Sequence, residues 1–534
     1  MIVNERAAGE RRIQSFIFIL ASVFCIIFIV LGILEANARK YQLIYLFLVP
    51  IVLTLLLSGL YTYRNIFKSK YIDIILIFLI AFLPRYLLAA TTWATPFNDF
   101  DLYYRTSKTL ADGNLDMIRG TLYTVRYPFL QAFSVFQSFL MEIFGQEMIV
   151  LRVLYSCMSS LSCVVIYLIG SRYDRRVGLF SGCIASLYIS NIVFSSVLTC
   201  QHISTLLYYI AFYIFTTKYT TNKQILLKYL FSGIILGFAQ LMRAIAPPIL
   251  LAIFIYSIIK MWIELDMKSK IIASKRKIKT IMKATAIPLF SLFLLLISYQ
   301  TVVKSFDVYA YLKGYRDVPF IETKLKFKFL LGLNYSGTGY SNSEVRRISF
   351  EGTDEEKDTM FQAIITDTLK NPKVLINEIV IPKLTKQWSS IDLSFYWLYG
   401  AQLQDLKDQI DSGTLGKYAD IKRYYNTGMM QMLYNNIDYA TQIAIMFFAA
   451  IGFFVSRKIS AKNQISLYAW IILGYIAVHM IIEAQQRYRY FGMPIFFLFA
   501  AIGIVHFMDI VIAHKSKDRM VMVGERTHQI ESGS

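Results

Sequence analysis

The sequence has few of the residues that build metal sites, disulfide frameworks and soluble surfaces. Its 534 residues include only five cysteines and five histidines, and charged residues make up 17% of the chain. All five cysteines lie within or at the ends of apolar stretches, without the paired spacing of zinc ligands or disulfide frameworks: Cys25, Cys157, Cys163, Cys183 and Cys200. We therefore interpret them as small buried side chains and expect neither a bound metal nor another cofactor.

Acidic residues are scarce relative to basic ones, and the formal net charge is +20. A strong positive charge can indicate nucleic-acid binding, but here the basic residues lie in short clusters beside apolar runs of about 20 residues. Hydrophobic residues make up 56% of the chain, which is more than a soluble domain carries. The composition predicts an all-α polytopic membrane protein that contacts membrane lipids and does not bind nucleic acid.

Length and apolar content predict about twelve transmembrane helices. Lysine and arginine clusters fill alternate gaps between these spans, and Arg39 with Lys40 is a small cluster that breaks the pattern. The positive-inside rule then predicts a plasma-membrane protein with both termini in the cytoplasm. The predicted spans are 13–34, 44–60, 72–90, 149–169, 178–196, 201–216, 229–242, 247–261, 285–303, 437–455, 465–483 and 490–512.

The long polar segments divide the chain into four predicted parts. Residues 1–303 form a transmembrane region whose first outer loop, about 91–148, carries the active site on amphipathic helices in the membrane interface. Residues 304–436 form a small extracytoplasmic segment. The C-terminal transmembrane helices occupy 437–513, and a cytoplasmic tail follows at 514–534.

Polar residues at the outer ends of the spans form three groups. Asp99 and Asp101 follow the third span, Arg243 lies in a tight outward turn, and Arg487 and Arg489 occupy a short turn before the last span. Carboxylates in the interface cost free energy unless they are solvated, paired or used, although capping of the next helix explains one of them. The forked donors of arginine match phosphate oxygens, with interfacial anchoring as the alternative. Because the groups share one membrane depth, we infer a general base and a clamp for an anionic lipid headgroup.

An ordered set of short motifs resembles the GT-C class of membrane glycosyltransferases, specifically the protein O-mannosyltransferase and aminoarabinose lipid A transferase branch. The resemblance implies a GT-C-type helical bundle that takes a sugar from a polyprenyl phosphate outside the cytoplasm. It covers about residues 70–505. Its motifs are Pro96-Phe97-Asn98-Asp99, Tyr127-Pro128-Phe129, Phe144-Gly145 with Arg152, Gly170 to Leu179, Gly237 to Arg243, Asn371-Pro372, Lys383 with Trp388, and Gln486 to Tyr490.

The resemblance also implies roles for single residues. Asp99 falls on the aspartate proposed as the base in the family, and Asp101 is a second acid that the family pattern does not require. The donor phosphate would be contacted by Arg243, Arg487 and Arg489, assisted by Lys383. The expected substrate-binding residues are Tyr103, Tyr127, Gln201, His202 and Tyr488.

One position departs from the family pattern. Many relatives carry a glutamate followed by histidine where this chain has Gln201 and His202. An amide can hydrogen-bond an acceptor but cannot act as a base, so either Asp99 suffices or the acceptor differs from the usual one. A lone histidine here is more often a packing residue than a catalyst.

We therefore predict an inverting displacement at the anomeric carbon, with Asp99 accepting the proton of the acceptor hydroxyl. The expected acceptor is a protein, a lipid or a cell-envelope glycan. Nucleotide-sugar donors are disfavoured because the chain lacks a Rossmann-like unit and a Gly-rich phosphate loop. A lipid-linked glycan polymerase or ligase is the alternative. A transporter or flippase for polyprenyl-linked substrates is a second one, although such proteins place ionisable groups near the midplane, where only Arg85 comes close.

Overall fold

The computed structural model is helical throughout the part of the chain that it describes. That part comprises residues 2–39, 59, 69–92, 94–120, 130–218, 221–271, 277–319, 325–334, 343–390, 394–412, 418–458 and 464–531. All regular secondary structure within these ranges is helix, so the predicted all-α class is confirmed.

Helices of the first 319 residues follow the predicted spans closely. The predicted span 44–60 lies outside the described residues. The helices are α1 (Ile2–Ala38), α2 (Lys70–Thr91), α3 (Asp99–Ala111), α4 (Asp116–Gly120), α5 (Gln131–Phe144), α6 (Met148–Gly170), α7 (Arg175–Leu187), α8 (Ile189–Phe194), α9 (Gln201–Phe215), α10 (Asn222–Met242), α11 (Ala246–Ile271) and α12 (Lys277–Leu312).

The later part of the chain is also helical, including the segment that the sequence predicts to be extracytoplasmic. Alternating α- and π-helical turns continue from Pro372 to Ser389, and we name this stretch the connecting helix. A single 3₁₀ turn, Gln486–Tyr488, precedes the last helix. The remaining helices are α13 (Leu325–Leu333), α14 (Ser343–Glu351), α15 (Asp354–Ile364), α16 (Ser394–Asp411), α17 (Tyr418–Ser456), α18 (Ser466–Ile481) and α19 (Arg489–Glu531).

Among the described residues, seven helices are long and apolar enough to cross a membrane. They belong to α1, α2, α6, α10, α12, α17 and α19, and α11 and α18 contain shorter apolar stretches. The chain is therefore a multi-pass membrane protein. The predicted span 178–196 is divided between α7 and α8 at Tyr188, and the count of about twelve crossings remains a prediction.

A buried arginine accompanies the division between α7 and α8. Arg85 of α2 is fully buried, and its Nη1 and Nη2 atoms donate to the carbonyls of Ser186 at 2.8 Å and Ala185 at 3.2 Å. Its Nε donates to Ser159 Oγ at 3.1 Å. The last carbonyls of a helix have no partner within it, so Arg85 satisfies the end of α7 inside the bundle and does not reach the membrane surface.

Two glycines allow a close contact between the backbones of α17 and α19. A Cβ atom at Gly452 would overlap the carbonyl of Phe499, and one at Gly503 would overlap the carbonyl of Phe448. Small residues at such a crossing let two helix backbones approach each other inside a membrane. This contact fixes α19, and with it the turn that precedes it.

Charged contacts identify one end of the bundle. Arg175 makes a two-pronged ion pair with Asp73, with both distances 2.7 Å, and Arg176 pairs with Asp509. These arginines belong to the clusters that the sequence assigns to the cytoplasm. The predicted site residues Asp99, Arg243 and Arg487 lie at the other ends of the helices.

Candidate active site

The start of α3 carries the first predicted site residue. The helix begins at Asp99, and Asn98 precedes it with φ at 52°, in the left-handed region that asparagine tolerates better than most residues. The side chain of Asn98 makes no capping hydrogen bond. Asp99 therefore lies in the first turn, where the helix dipole favours a carboxylate.

Asp99 forms an ion pair with Arg487, which lies 388 positions later in the chain. Arg487 Nη2 donates to Asp99 Oδ2 at 2.8 Å, and the two side chains are 12% and 30% exposed, respectively. The guanidinium carbon lies 5.4 Å from the ring centre of Phe100 and 5.2 Å from that of Trp397. A carboxylate and a guanidinium thus meet between aromatic rings at the edge of the bundle, while part of the carboxylate remains open.

Arg243 lies against the same turn as Arg487. Its guanidinium carbon is 4.8 Å from the ring centre of Tyr488, and its Nη1 is 4.0 Å from Cys200 Sγ. The hydroxyl of Tyr488 donates to Glu483 Oε2 at 3.4 Å. Two predicted phosphate ligands therefore contact one turn, with the predicted substrate-binding residue Tyr488 packed against Arg243.

Lys328 of α13 adds a third cation that the sequence analysis missed. Burial lowers the pKa of Lys328, nearby Glu483 raises it, and Arg243 and Arg487 lower it further. Glu483 is buried and accepts a hydrogen bond from Gln485 at 2.9 Å. The signal in the sequence is a run of lysines at alternate positions 324, 326 and 328, which the positive-inside rule disfavours in an outer segment.

Gln201 and His202 are both buried beneath the ion pair. The amide of Gln201 donates to the backbone carbonyl of Arg487 at 2.5 Å, so it holds the turn that carries this arginine. The two ring nitrogens of His202 lie 3.1 Å from Tyr490 Oη and 3.0 Å from the carbonyl of Val197. Full burial and two occupied nitrogens fit the packing interpretation of His202 better than a catalytic one.

Asp101 is directed away from Asp99. Residues two positions apart on a helix are separated by about 200° around its axis. Asp101 accordingly pairs with the exposed Arg105, one turn further on, at 2.7 Å. The surroundings of Asp101 do not fit the predicted role of a second acid beside Asp99.

Arg489 is separated from Arg487 by only one residue, but its side chain lies inside the bundle. Its Nη1 donates to the carbonyl of Ser390 at 2.6 Å and to Gln442 Oε1 at 3.0 Å, and its Nη2 pairs with Asp438 at 3.4 Å. Arg489 and Asp438 are both fully buried. The predicted phosphate contact of Arg489 does not fit this position, because α19 starts here and turns the side chain toward α17.

Lys383 is likewise committed to a structural contact. It is fully buried in the connecting helix, and its Nζ donates to the carbonyls of His479, Met480 and Ile482 at 3.2, 3.0 and 2.8 Å. These carbonyls lie at the C-terminal end of α18, where a helix leaves acceptors without partners. Lys383 therefore caps α18, and the predicted assistance to phosphate binding does not fit its position.

Two tyrosines complete the predicted set. Tyr103 is buried and packs edge-to-face on Phe133 with ring centres 5.5 Å apart. Tyr127 lies outside the described residues.

The aromatic start of α16 is a further part of the site that sequence reasoning missed. Trp397 stacks on Phe97 with ring centres 5.9 Å apart and meets Phe100 edge-on at 5.4 Å. Tyr399 shares a hydrogen bond with Thr92 at 3.1 Å, so α16 lies over the loop before Asp99. The signal was the run of aromatic residues in positions 395–399 of a polar segment.

Comparison with known proteins gives a partial match to a family model and a distant structural likeness. The model of the dolichyl-phosphate-mannose-protein mannosyltransferase family matches residues 130–306, about a third of the chain. The chain is similar to GT-C glycosyltransferases. This confirms the resemblance predicted from the sequence motifs, and it supports a membrane glycosyltransferase. A comparison with curated proteins gives no significant match.

Among solved structures, the apo form of the Archaeoglobus fulgidus oligosaccharyltransferase matches with a TM-score of 0.40 and 14% sequence identity. The match covers 85% of this chain and 52% of the archaeal one, so this chain spans about half the length of that enzyme.

Within the described residues, no three His, Cys, Asp or Glu side chains are grouped so that they could hold a metal ion.

Proposed function

We propose that this protein transfers a sugar from a polyprenyl-phosphate-linked donor to an acceptor at the outer face of the plasma membrane. Asp99 acts as the base, and Arg487 and Arg243 stabilise the departing lipid phosphate. The observation that carries the proposal is the ion pair between Asp99 and Arg487. It joins a carboxylate of the first outer loop to a cation of the last turn, at the end of the bundle opposite the basic clusters.

The ion pair has a consequence for the order of events. While Arg487 holds Asp99, Oδ2 of the carboxylate is engaged by an arginine N–H group and is not free to take a proton from the acceptor. A donor phosphate that binds Arg487 competes with Asp99 for the same N–H groups. Donor binding therefore releases the base, and the acceptor hydroxyl can then give its proton to Asp99.

In the reaction, the acceptor oxygen attacks the anomeric carbon as Asp99 takes its proton. The bond from this carbon to the phosphate oxygen breaks, and the electron pair leaves on the lipid phosphate, so the configuration inverts. A positioned base contributes about 10²–10⁴-fold to such a step. Arginines in a poorly hydrated site stabilise the leaving phosphate.

The acceptor hydroxyl is expected to belong to a protein, a lipid or a cell-envelope glycan. Gln201 does not replace the family glutamate as a base, because its amide is used to hold the Arg487 carbonyl. This favours Asp99 as the single base. The transport alternative loses its main support, because Arg85 is bonded to the end of α7.

The test uses purified protein in detergent with a panel of radiolabelled polyprenyl-phosphate sugars. The native chain should consume a lipid-linked sugar in the presence of acceptor, and Asp99→Asn should lower the rate by about 10²–10⁴-fold. Asp101→Asn is the matched control, and it should retain near-native turnover because Asp101 pairs with Arg105 on another face of α3. Equal rates for the native chain and Asp99→Asn would show that the base assignment is wrong.

A further inference from the structure

A narrow cleft beside the ion pair has no role in the mechanism above. The space between its lining atoms is about 200 Å³ when the open solvent in front of it is counted, and the room inside is much smaller. Trp397 is shared by the cleft and the ion pair, because its ring centre lies 5.2 Å from the guanidinium carbon of Arg487. The cleft is lined by Thr95, Pro96, Arg152, Ser196, Val197, Leu198, Trp397 and Leu398.

Arg152 brings a buried positive charge to this cleft. The residue is 5% exposed, and its guanidinium donates to the carbonyls of Ser196 at 3.3 Å, Thr92 at 3.4 Å and Ala94. Its contacts in the described part of the chain include no carboxylate. A guanidinium has five N–H donors, so these three bonds leave donors over. Burying a cation without a counter-charge costs free energy that an anionic ligand would offset.

Other polar atoms around the cleft have no hydrogen-bond partner in the described structure. Ser196 Oγ and Trp397 Nε1 are buried and unpartnered. Each buried polar group left unpaired costs about 1–3 kcal/mol. The indole N–H is a donor, the hydroxyl can also donate, and Arg152 has donors left over, so the missing group must offer several acceptors. An oxyanion does so, and its charge also matches Arg152.

We propose that the cleft binds an oxyanion, a phosphate or a carboxylate, that the acceptor substrate carries close to its reacting hydroxyl. The inference rests on the proposed function, which assigns the donor phosphate to Arg243 and Arg487. The cleft and the base are joined by one short loop, because Thr95 and Pro96 line the cleft and Asp99 follows three residues later. An anion in the cleft therefore fixes a nearby hydroxyl beside Asp99, and uncharged acceptors are poor substrates.

The first test measures phosphate binding by the full chain in detergent. Inorganic phosphate should raise the Tm of the native protein above its value in chloride of equal ionic strength. Ser196→Ala should weaken this binding about tenfold, because a hydrogen bond to the anion is lost. Ser204→Ala is the matched control, since Ser204 Oγ is also buried and unpartnered but does not line the cleft.

The same variants distinguish a binding role from a packing role. Removing an unpartnered hydroxyl from an empty site should leave the Tm in chloride unchanged or raise it in both serine variants. Only a ligand site makes Ser196→Ala differ from Ser204→Ala in phosphate. Trp397→Phe keeps an aromatic ring and removes the Nε1 donor, so it should lose phosphate affinity as well. Native-like phosphate binding by both Ser196→Ala and Trp397→Phe would overturn the proposal.

A separate measurement identifies the source of the anion. Binding of a polyprenyl phosphate without sugar should be unchanged in Ser196→Ala and weakened in Arg243→Gln. An equal loss of polyprenyl phosphate and inorganic phosphate in Ser196→Ala would assign the cleft to the donor and overturn the acceptor site. Failure of the glycosyltransferase function is recognised independently, because native protein would then consume no lipid-linked sugar while inorganic phosphate still raises its Tm.

Discussion

Arg487 and Arg489 show how strongly one residue of separation matters at the head of α19. Arg487 precedes the helix and pairs with the partly exposed Asp99, whereas Arg489 starts the helix and pairs with the fully buried Asp438. The same side chain is therefore available to a ligand in one place and committed to the fold in the other.

Substitution of each arginine by methionine should separate these roles. Arg487→Met is expected to lower sugar transfer by about 10²–10³-fold with a small change in Tm, because it removes a cation from the leaving group. Arg489→Met leaves Asp438 buried without its cation, which typically costs 3–5 kcal/mol. Donor turnover and thermal unfolding in detergent measure the two effects.

A compensating change checks this assignment. Asp438→Asn added to Arg489→Met removes the unpaired charge and should restore part of the lost Tm. Normal stability of Arg489→Met together with lost donor binding would place Arg489 in the phosphate site after all.

Competition between Asp99 and the donor phosphate for the N–H groups of Arg487 leads to a second prediction. Asp99→Asn frees Arg487 from its carboxylate, so polyprenyl phosphate should bind as tightly as in the native protein or up to about fivefold tighter. This range follows from the 0.2–1 kcal/mol of a partly exposed ion pair. Asp101→Asn should leave the affinity unchanged, and weaker binding by Asp99→Asn would contradict the competition.

At the scale of helices, the crossing of α17 and α19 links packing deep in the bundle to the site. The backbones touch at Gly452 and Gly503, and α19 begins directly after the turn that carries Arg487. A side chain at the crossing would push the helices apart and shift this turn.

Gly452→Val should therefore lower the Tm and the rate of sugar transfer together. The added Cβ overlaps the Phe499 carbonyl, which belongs to the helix backbone and cannot move aside. Gly428→Ala is a control in the same helix, because nothing lies within 4 Å of its Cβ position. That control should keep activity and gain up to about 1 kcal/mol of stability. Native stability of Gly452→Val would mean that the helices do not pack as described.

The sequence predicts helices well here and side-chain partners less well. The positions of the spans follow from hydropathy, which is a local property of the sequence. The break at Tyr188 was missed because the carbonyls at the end of α7 accept hydrogen bonds from Arg85, which lies on a distant helix. The predicted roles of Lys383 and Arg489 do not fit their positions for the same reason. Their partners at the end of α18 and in α17 are set by packing, which no local pattern reports.

Across the whole molecule, the distribution of basic clusters predicted that the candidate site residues lie at the same depth in the membrane. The pairing of Asp99 with Arg487 at 2.8 Å agrees with that prediction, although no spacing rule connects residues so far apart. Lys328 and Trp397 were missed because the segment that contains them lacks a strong pattern. Which end of the bundle faces outward remains a prediction of the positive-inside rule.

Cysteine labelling in intact cells tests this orientation. The five native cysteines are buried or half-buried, so background labelling should be low. Lys108→Cys lies on the exposed side of α3 at the site end and should react with a membrane-impermeant maleimide. Lys223→Cys, at the exposed start of α10, should react only after permeabilisation. The reverse result would place the candidate active site in the cytoplasm.

Arg85 has a consequence for the synthesis of the protein. Its partners Ser159, Ala185 and Ser186 lie 74, 100 and 101 positions later in the chain. When α2 enters the bilayer, these partners have not yet been made. Arg85 lies in the second half of α2, and an arginine there costs at most the roughly 2.5–3.5 kcal/mol of one at the helix centre. The apolar remainder of α2 must carry the residue into the membrane alone. We therefore expect α2 to stay beside the translocation machinery until α6 and α7 emerge and accept the hydrogen bonds of Arg85.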